Sequence, residues 1–518
     1  MADTKRETER KYEATTDTRV PDLTGVRGVS RVVDAGTADL DAVYYDTPGL
    51  RLAAHSVTLR RRTGGGDAGW HLKLPVAPGV RDEISEPLDD EGVPPTLAAL
   101  VRARTRGDAL GPVVRLRSSR DVRHLVDADG GLLAELSTDT VHAERLTEGG
   151  GTARWTEIEV ELADGGDPAL LDAVDKRLRK AGVRPAASPS KLARALEETG
   201  TPPRTARPAA PDTAGDHVLT YLRAQVDALL THDAGLRRDQ PDAVHRMRVA
   251  TRRLRSALRS HRKVLDREAT GPLADELRWL AAELGVERDR EVLDERLRTA
   301  LEAVPTTLRL GPVRGRLRRW SATRTTGSRG RLLEILDGDR YLALLDGLDA
   351  LLADPPLRPA AANAPREVLA EAVAKDHARV AARVERALAL DPGPDRDKAL
   401  HEARKAAKRA RYAAELAAPV LGRPARRSVK GMKAVQRLLG DHQDSVVARE
   451  ALRDLAVQAN GAGESSFTWG LLHAREEARG AAPPRRRAGT RGEGAARGPG
   501  GGPGAAPGGG ARPRTRGG

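Results

Sequence analysis

The sequence predicts an α+β multidomain protein, with a strand-rich first part and an all-helical second part. Three observations carry this. The chain has 518 residues, more than a single ordinary core accommodates. Short segments alternating apolar and charged residues crowd the first 198 positions: VTLRRR at 57–62, WHLKLP at 70–75, LLAELS at 132–137 and WTEIEVEL at 155–162. A period of two is the strand signature. Beyond position 214 the pattern lengthens into Ala-, Leu- and Arg-rich helical runs, and it repeats itself.

The expected organisation is residues 1–198, a linker at 199–214, a helical region at 215–480 and a tail at 481–518. The stretch TPPRTARPAAPDTA at 201–214 has no apolar periodicity and reads as the linker. The tail holds 13 Gly, 6 Pro and 8 Arg and is expected to be disordered. Charge follows the same divisions. Residues 1–200 carry 29 Lys/Arg against 34 Asp/Glu, and residues 201–480 carry 51 against 39. A basic region implies an anionic partner. Aromatics are only 2% of the chain, with one Phe, which disfavours base stacking and hence single-stranded nucleic acid. The absence of Cys excludes disulfides, zinc–thiolate sites and cysteine nucleophiles. No run of 18 uncharged apolar residues occurs, so no transmembrane helix and no membrane role are expected. The N-terminus lacks the apolar segment of a secretory signal, and a cytoplasmic location is expected.

In a strand, residues i, i+2 and i+4 share a face. Glu7, Glu9 and Lys11 therefore share one, and Glu157, Glu159 and Glu161 another, with Ile158, Val160 and Leu162 behind. Arg60 pairs with Arg62 in the same way, Lys73 stands opposite Leu72 and Leu74, and Glu135 shares a face with Asp139. Each row alone reads as a solvated face. Together, if the sheet closes, they line an interior, where charges must pair or hold a ligand. A polyanion with a divalent metal satisfies both signs: Arg and Lys hold phosphates, and paired carboxylates hold a hard cation.

These residues resemble a known family. Glu7-x-Glu9-x-Lys11 is similar to the ExExK signature of the CYTH domain, the triphosphate tunnel metalloenzymes. YYDTPGLRL at 44–52, LRRR at 59–62, HLKLP at 71–75, RDEIS at 81–85, EIEVEL at 157–162 and SKLARAL at 190–196 follow in the family's order. The resemblance implies an antiparallel eight-stranded β tunnel that binds a triphosphate. It implies Glu7, Glu9, Glu157 and Glu159 as metal ligands for Mg2+ or Mn2+, assisted by Asp139 and Glu135. It implies Lys11, Arg60, Arg62, Lys73, Arg120 and Lys191 as phosphate-gripping groups. Arg117 and Arg81 join that set only if the register of their strands allows. Glu7, Glu9, Lys11, Glu157 and Glu159 form the expected catalytic core.

The helical region contains an internal repeat. HRMRVATRRLR at 245–255 matches HEARKAAKRAR at 401–411, and LGVERDREV at 284–292 matches LGDHQDSVV at 439–447. At about 100° per residue, His245, Arg248, Arg252, Arg255 and Arg259 fall within an arc of about 80°. His401, Arg404, Lys408 and Arg411 repeat that arc. An amphipathic helix with a solvated basic face is the ordinary reading, yet the stripe lacks acidic partners at i+4 and occurs twice. Asp289 and Asp444 are expected to pair with nearby arginines. The pattern resembles the CHAD domain, a helical domain of two similar halves. That resemblance implies binding of inorganic polyphosphate, or association with polyphosphate granules, along the basic surface between the halves. The expected function is a metal-dependent hydrolase of inorganic triphosphate or polyphosphate. A non-catalytic polyphosphate-granule binder, and an adenylate cyclase or thiamine triphosphatase on the same fold, are the alternatives.

Overall fold

The computed structural model describes residues 3–88, 92–200, 210–325 and 328–481. The expected disordered tail and most of the expected linker lie outside the described residues. The first part is built on β1 (Asp3–Ala14), β2 (Arg31–Asp46), helix α1 (Arg51–Ala54), β3 (Thr58–Thr63), β4 (Gly69–Ala77), β5 (Val80–Glu86), α2 (Pro95–Thr105), β6 (Gly111–Val126), β7 (Leu132–Arg145), β8 (Thr152–Leu162), α3 (Pro168–Lys180), the two-residue β9 (Arg184–Pro185) and α4 (Lys191–Glu198). The pairing order is β5-β4-β3-β2-β6-β7-β8-β1-β9, all antiparallel, with β1 also pairing β5. Strand β1 closes the eight-stranded barrel by dividing its length. Its Asp3–Thr8 half pairs β5, and its Glu9–Ala14 half pairs β8.

The barrel is turned inside out relative to a packed β core. Ile158, Val160 and Leu162 point outward and pack with Leu170, Leu171, Val174 and Leu178 of α3. Leu59, Trp70, Leu72 and Ile84 also point outward, under Leu97, Leu100 and Val101 of α2. Alternation then forces the charged partners of these residues inward.

The second part is helical: α5 (Ala214–Arg237), α6 (Ala243–Ser260), α7 (Arg267–Glu302), α8 (Val313–Thr325), α9 (Ser328–Asp337), α10 (Asp339–Ala353), α11 (Pro365–Leu388), α12 (Pro394–Leu421), α13 (Arg423–Gly461) and α14 (Phe467–Ala481). A capping box of Thr213 and Asp216 starts α5. The sequence repeat materialises as α6 followed by α7, and α12 followed by α13, with α6 against α12 at the centre. Among the described residues no helix is long and apolar enough to cross a membrane.

The two parts share packing. Ala103 of α2 joins the helical core, and Ala234 of α5 joins the core outside β3–β5. Arg106 reaches Asp349 at 2.7 Å and Asp346 at 3.2 Å, and Arg238 reaches Asp82 on β5 at 2.9 Å. Asp233 of α5 is fully buried, pairs with Arg237 at 2.8 Å and is the strongest opposing charge acting on buried Arg104. Asp233→Ala would remove that charge from Arg104 and leave Arg237 with Asp337 alone, at 2.6 Å, a change that costs about 3 kcal/mol. Urea unfolding of the full chain is expected to show that loss, with Asp233→Asn losing less.

Candidate active site and polyanion surface

The barrel interior encloses a cavity of about 370 Å³. Register builds it. Arg120 faces Asp139 across β6–β7, Asp139 faces Glu157 across β7–β8, and Lys11 faces Glu159 across β1–β8. On the other wall Arg60 faces His71, and Lys73 faces Glu83.

One wall holds a carboxylate triad. Asp139, Glu157 and Glu159 are buried, and one oxygen from each lies within 4.8 Å of the other two. Arg120 donates to both oxygens of Asp139 at 2.8 Å and to Glu159 at 3.0 Å. The indole of Trp155 donates to Glu157 Oε2 at 2.6 Å, and Lys11 pairs with Glu159. Burial alone would raise Glu159 and Asp139. The cations Lys11, Lys191 and Arg120 instead hold Glu159 well below its ordinary value, and Lys191 and Arg120 lower Asp139. Ionised carboxylates whose positions are fixed by outer hydrogen bonds suit a hard divalent cation.

The opposite wall is organised around Glu7 and Glu83. Lys73 donates to Glu7 at 2.5 Å and lies 3.5 Å from Glu83, while Glu83 also meets His71 Nδ1 at 3.0 Å and Arg60 at 3.7 Å. Burial pushes the Glu7 carboxyl up to about 7, Lys73 pulling the other way and Glu83 adding to the rise. Glu9 stands between the walls, 3.1 Å from Lys11 and 3.8 Å from Arg81. Arg62 is buried against Asp67, and burial with neighbouring Arg60 and Arg120 lowers its guanidinium to about 9.

The structure therefore gathers Glu7, Glu9, Lys11, Arg60, Arg62, Lys73, Arg120, Glu159 and Lys191 about one cavity, with Asp139 and Glu157 reached through Lys191 and Glu159. It does not gather the expected metal ligands Glu7, Glu9, Glu157 and Glu159, with Asp139 and Glu135, into one cluster. Glu7 sits on the half of β1 that pairs β5, so it looks to Glu83 rather than to the triad. Arg117 stays outside: it is mostly exposed and lies 3.7 Å from Asp41. Arg81 lines the cavity. Sequence reading missed Trp155, His71 and Glu83. Trp155 stands two residues before Glu157, and His71 two before Lys73, so the same period of two marks both. Glu83 is marked only by its partner across β4–β5.

In the helical part, the two repeats form matching clamps. Arg248 donates to Asp289 at 2.8 Å, and Arg404 lies 3.7 Å from Asp444, as expected of both aspartates. A Cβ on Gly285 would stand 3.0 Å from the Arg248 guanidinium, and one on Gly440 would stand 3.2 Å from that of Arg404. The repeated Leu-Gly pair thus marks where an arginine crosses a helix. Between the clamps lie Arg252 and Lys408. Burial, with Arg252, Arg404 and Arg248, lowers the Lys408 ammonium to about 6. Arg255 and Arg259 continue the surface into a pocket with Arg262, Arg267 and Arg278. His401 contacts Gln443 at 3.0 Å, and His245 begins the same face of α6. Contrary to the expectation that the stripe lacks acidic partners at i+4, Arg411 pairs with Glu415 at 3.2 Å.

A CYTH domain profile matches residues 5–196, and a CHAD domain profile matches residues 220–453. Two uncharacterized proteins from strains of Mycobacterium tuberculosis, MT2285 and Rv2226, are each 41% identical over 488 residues, covering 91% of this chain and 92% of theirs. The chain belongs to the CYTH–CHAD family. Among solved structures, it is similar to PptA from Streptomyces chartreusis (24% identity, TM-score 0.43, 52% of this chain and 95% of that one). It is also similar to the CHAD domain of Ricinus communis (25%, 0.42, 53% and 90%). A third is an adenylyl-cyclase-named protein of Hippeastrum described as having a dominant triphosphatase activity (16%, 0.25, 39% and 99%).

Two outcomes follow from the electrostatics. Carbon-detected titration of Glu7 should show a midpoint near 7, and Glu83→Gln should move it lower by removing the neighbouring acid. Because folding raises this pKa, its contribution to stability is present at acid pH and falls as pH rises from about 4.5 to 7. Lys408→Met should raise the melting temperature of the ligand-free protein at pH 7, because it removes a cation held among three arginines.

Proposed function

We propose that the barrel is a metal-dependent triphosphatase acting on inorganic triphosphate or the ends of polyphosphate, and that the helical part holds the polyphosphate. The observation that carries this is one barrel cavity lined by a set of Arg and Lys side chains and by Glu159, which belongs to a buried carboxylate triad with Asp139 and Glu157. A binder of polyanions alone has no use for buried Asp139, Glu157 and Glu159, which repel its ligand.

Asp139, Glu157 and Glu159 would hold the divalent cation, with Glu9 at the rim of the same wall. Bound there, Mg2+ or Mn2+ supplies Lewis-acid stabilisation of a phosphoryl oxygen. Lys11, Arg60, Arg62, Lys73, Arg81 and Arg120 offset the charge of the phosphate oxygens and orient the chain. Phosphoryl transfer depends mainly on such positioning and electrostatics. Glu7, holding its proton near neutrality, is placed to exchange it with water at the reacting end. Nucleotide and thiamine substrates are less well served. Among the cavity-lining residues Tyr44 is the one phenol or indole ring, and it is buried beneath Arg60 at 3.4 Å.

The helical surface supports polyphosphate as partner for a parallel reason. Arg252 and Lys408 are half-buried among like charges, and no carboxylate ion pair is found for either among the described residues. A long polyanion would supply the missing charge. Granule association and a cytoplasmic location extend the same reading.

Phosphate release from tripolyphosphate is the test. Turnover should require Mg2+ or Mn2+, and Glu157→Gln should lower it on the order of a hundredfold or more. Full activity in EDTA, or in the variant, rejects the metal-dependent reading; no phosphate release with either metal rejects the enzyme reading. Binding of long-chain polyphosphate should weaken steeply with salt, as counterion release requires. Arg252→Glu with Lys408→Glu should weaken it further and flatten that dependence.

A further inference from the structure

The carboxylate triad already has a cation in it. The Lys191 ammonium lies 2.9 Å from Asp139 Oδ2, 2.7 Å from Glu157 Oε1 and 2.6 Å from Glu159 Oε1. It stands where the three donor oxygens converge, the position a divalent ion would take. The contacts are ionic rather than directed: despite the 2.7 Å approach, Glu157 Oε1 has no hydrogen-bond partner of acceptable geometry. A buried carboxylate oxygen with an unused lone pair points to a ligand other than an ammonium.

The origin of this side chain matters. Lys191 is the first residue of α4, not part of the barrel wall. Ser190 caps the helix by accepting from Ala193 N at 3.1 Å, and Leu192, Ala195 and Leu196 anchor it against Tyr44, Val141 and Trp155 on the inward face of the barrel. The backbone is thereby held while the lysine reaches inward. Its four-carbon stem and compact charge can change partner without moving the helix. The remaining ligands of the triad cannot move so freely, because Arg120 and Trp155 hold them.

We propose that Lys191 is a resident cation that occupies the metal site of the free protein, is displaced by the divalent ion, and then takes phosphate oxygens of the incoming triphosphate as its new partner. This rests on the triphosphatase reading for its second half only. An ammonium and a divalent ion cannot share one set of oxygens at bonding distance, so metal must compete with Lys191. A polyphosphate oxygen in the cavity compensates the displaced charge. Metal and triphosphate then bind with positive coupling, and the free protein holds metal weakly. The device keeps a buried acidic triad neutralised without requiring a stored ion.

The test is Mn2+ binding to the full chain in phosphate-free buffer, read by the electron paramagnetic resonance signal of free Mn2+. A site open only part of the time has its affinity reduced by that fraction. Lys191→Met should therefore bind Mn2+ on the order of ten- to a hundredfold more tightly than the parent protein. Lys73→Met removes a cation from the same cavity without opening the triad and should change affinity much less. Equal tightening in both variants, or none in Lys191→Met, overturns the proposal. If Lys191→Met does not fold, the parent protein decides through acetic anhydride labelling read by mass spectrometry. Acetylation of Lys191 should rise when Mn2+ is added alone and fall again with tripolyphosphate; labelling unchanged by saturating Mn2+ overturns the proposal. If Mn2+ exposes Lys191 but tripolyphosphate is neither bound nor cleaved, displacement stands and the triphosphatase reading fails.

Discussion

The inward-facing charge of the barrel is the constraint on which the rest depends. Antiparallel strands with one apolar face can put that face inside or outside. Here α2 and α3 cover apolar residues on the outside, so the charged rows have the interior left. Desolvated charges at that density persist only where each finds an opposite one. The cross-strand register supplies those partners: Arg120 with Asp139, Lys11 with Glu159, Lys73 with Glu83. That pairing is what makes the charged interior tolerable.

The helical region settles its charge differently. Arg248 and Arg404 are each tied to an aspartate across a glycine, one in each repeat. Arg252 and Lys408 between them have no carboxylate ion pair among the described residues, and Lys408 is driven far from its ordinary value. The protein carries electrostatic strain at this surface, the feature on which the proposed polyanion binding rests.

The two parts are tied by charged contacts. Arg104 of α2 and Arg106 just after it meet α5 and α10, and Arg238, just after α5, reaches Asp82, whose neighbour Glu83 lines the cavity. The helical part therefore supports the outer surface of a tunnel strand.

Much of this was legible in the sequence, because strand alternation and helical periodicity are local. The rows Glu7-x-Glu9-x-Lys11 and Glu157-x-Glu159, and the duplicated His- and Arg-led helices, carry their geometry in spacing alone. Period two could also have reached Trp155 and His71. What only the tertiary structure decided is which wall each row faces. Strand β1 changes partner between Thr8 and Glu9, and that crossover sends Glu7 to Glu83 and leaves the triad to β7 and β8. Arg117 and Arg120 are both plausible by composition, yet only Arg120 turns into the cavity. The position of Lys191 among three carboxylates depends on α4 docking far from those strands in sequence. Spacing specifies a face within one element; closure of the sheet and docking of helices specify what that face meets.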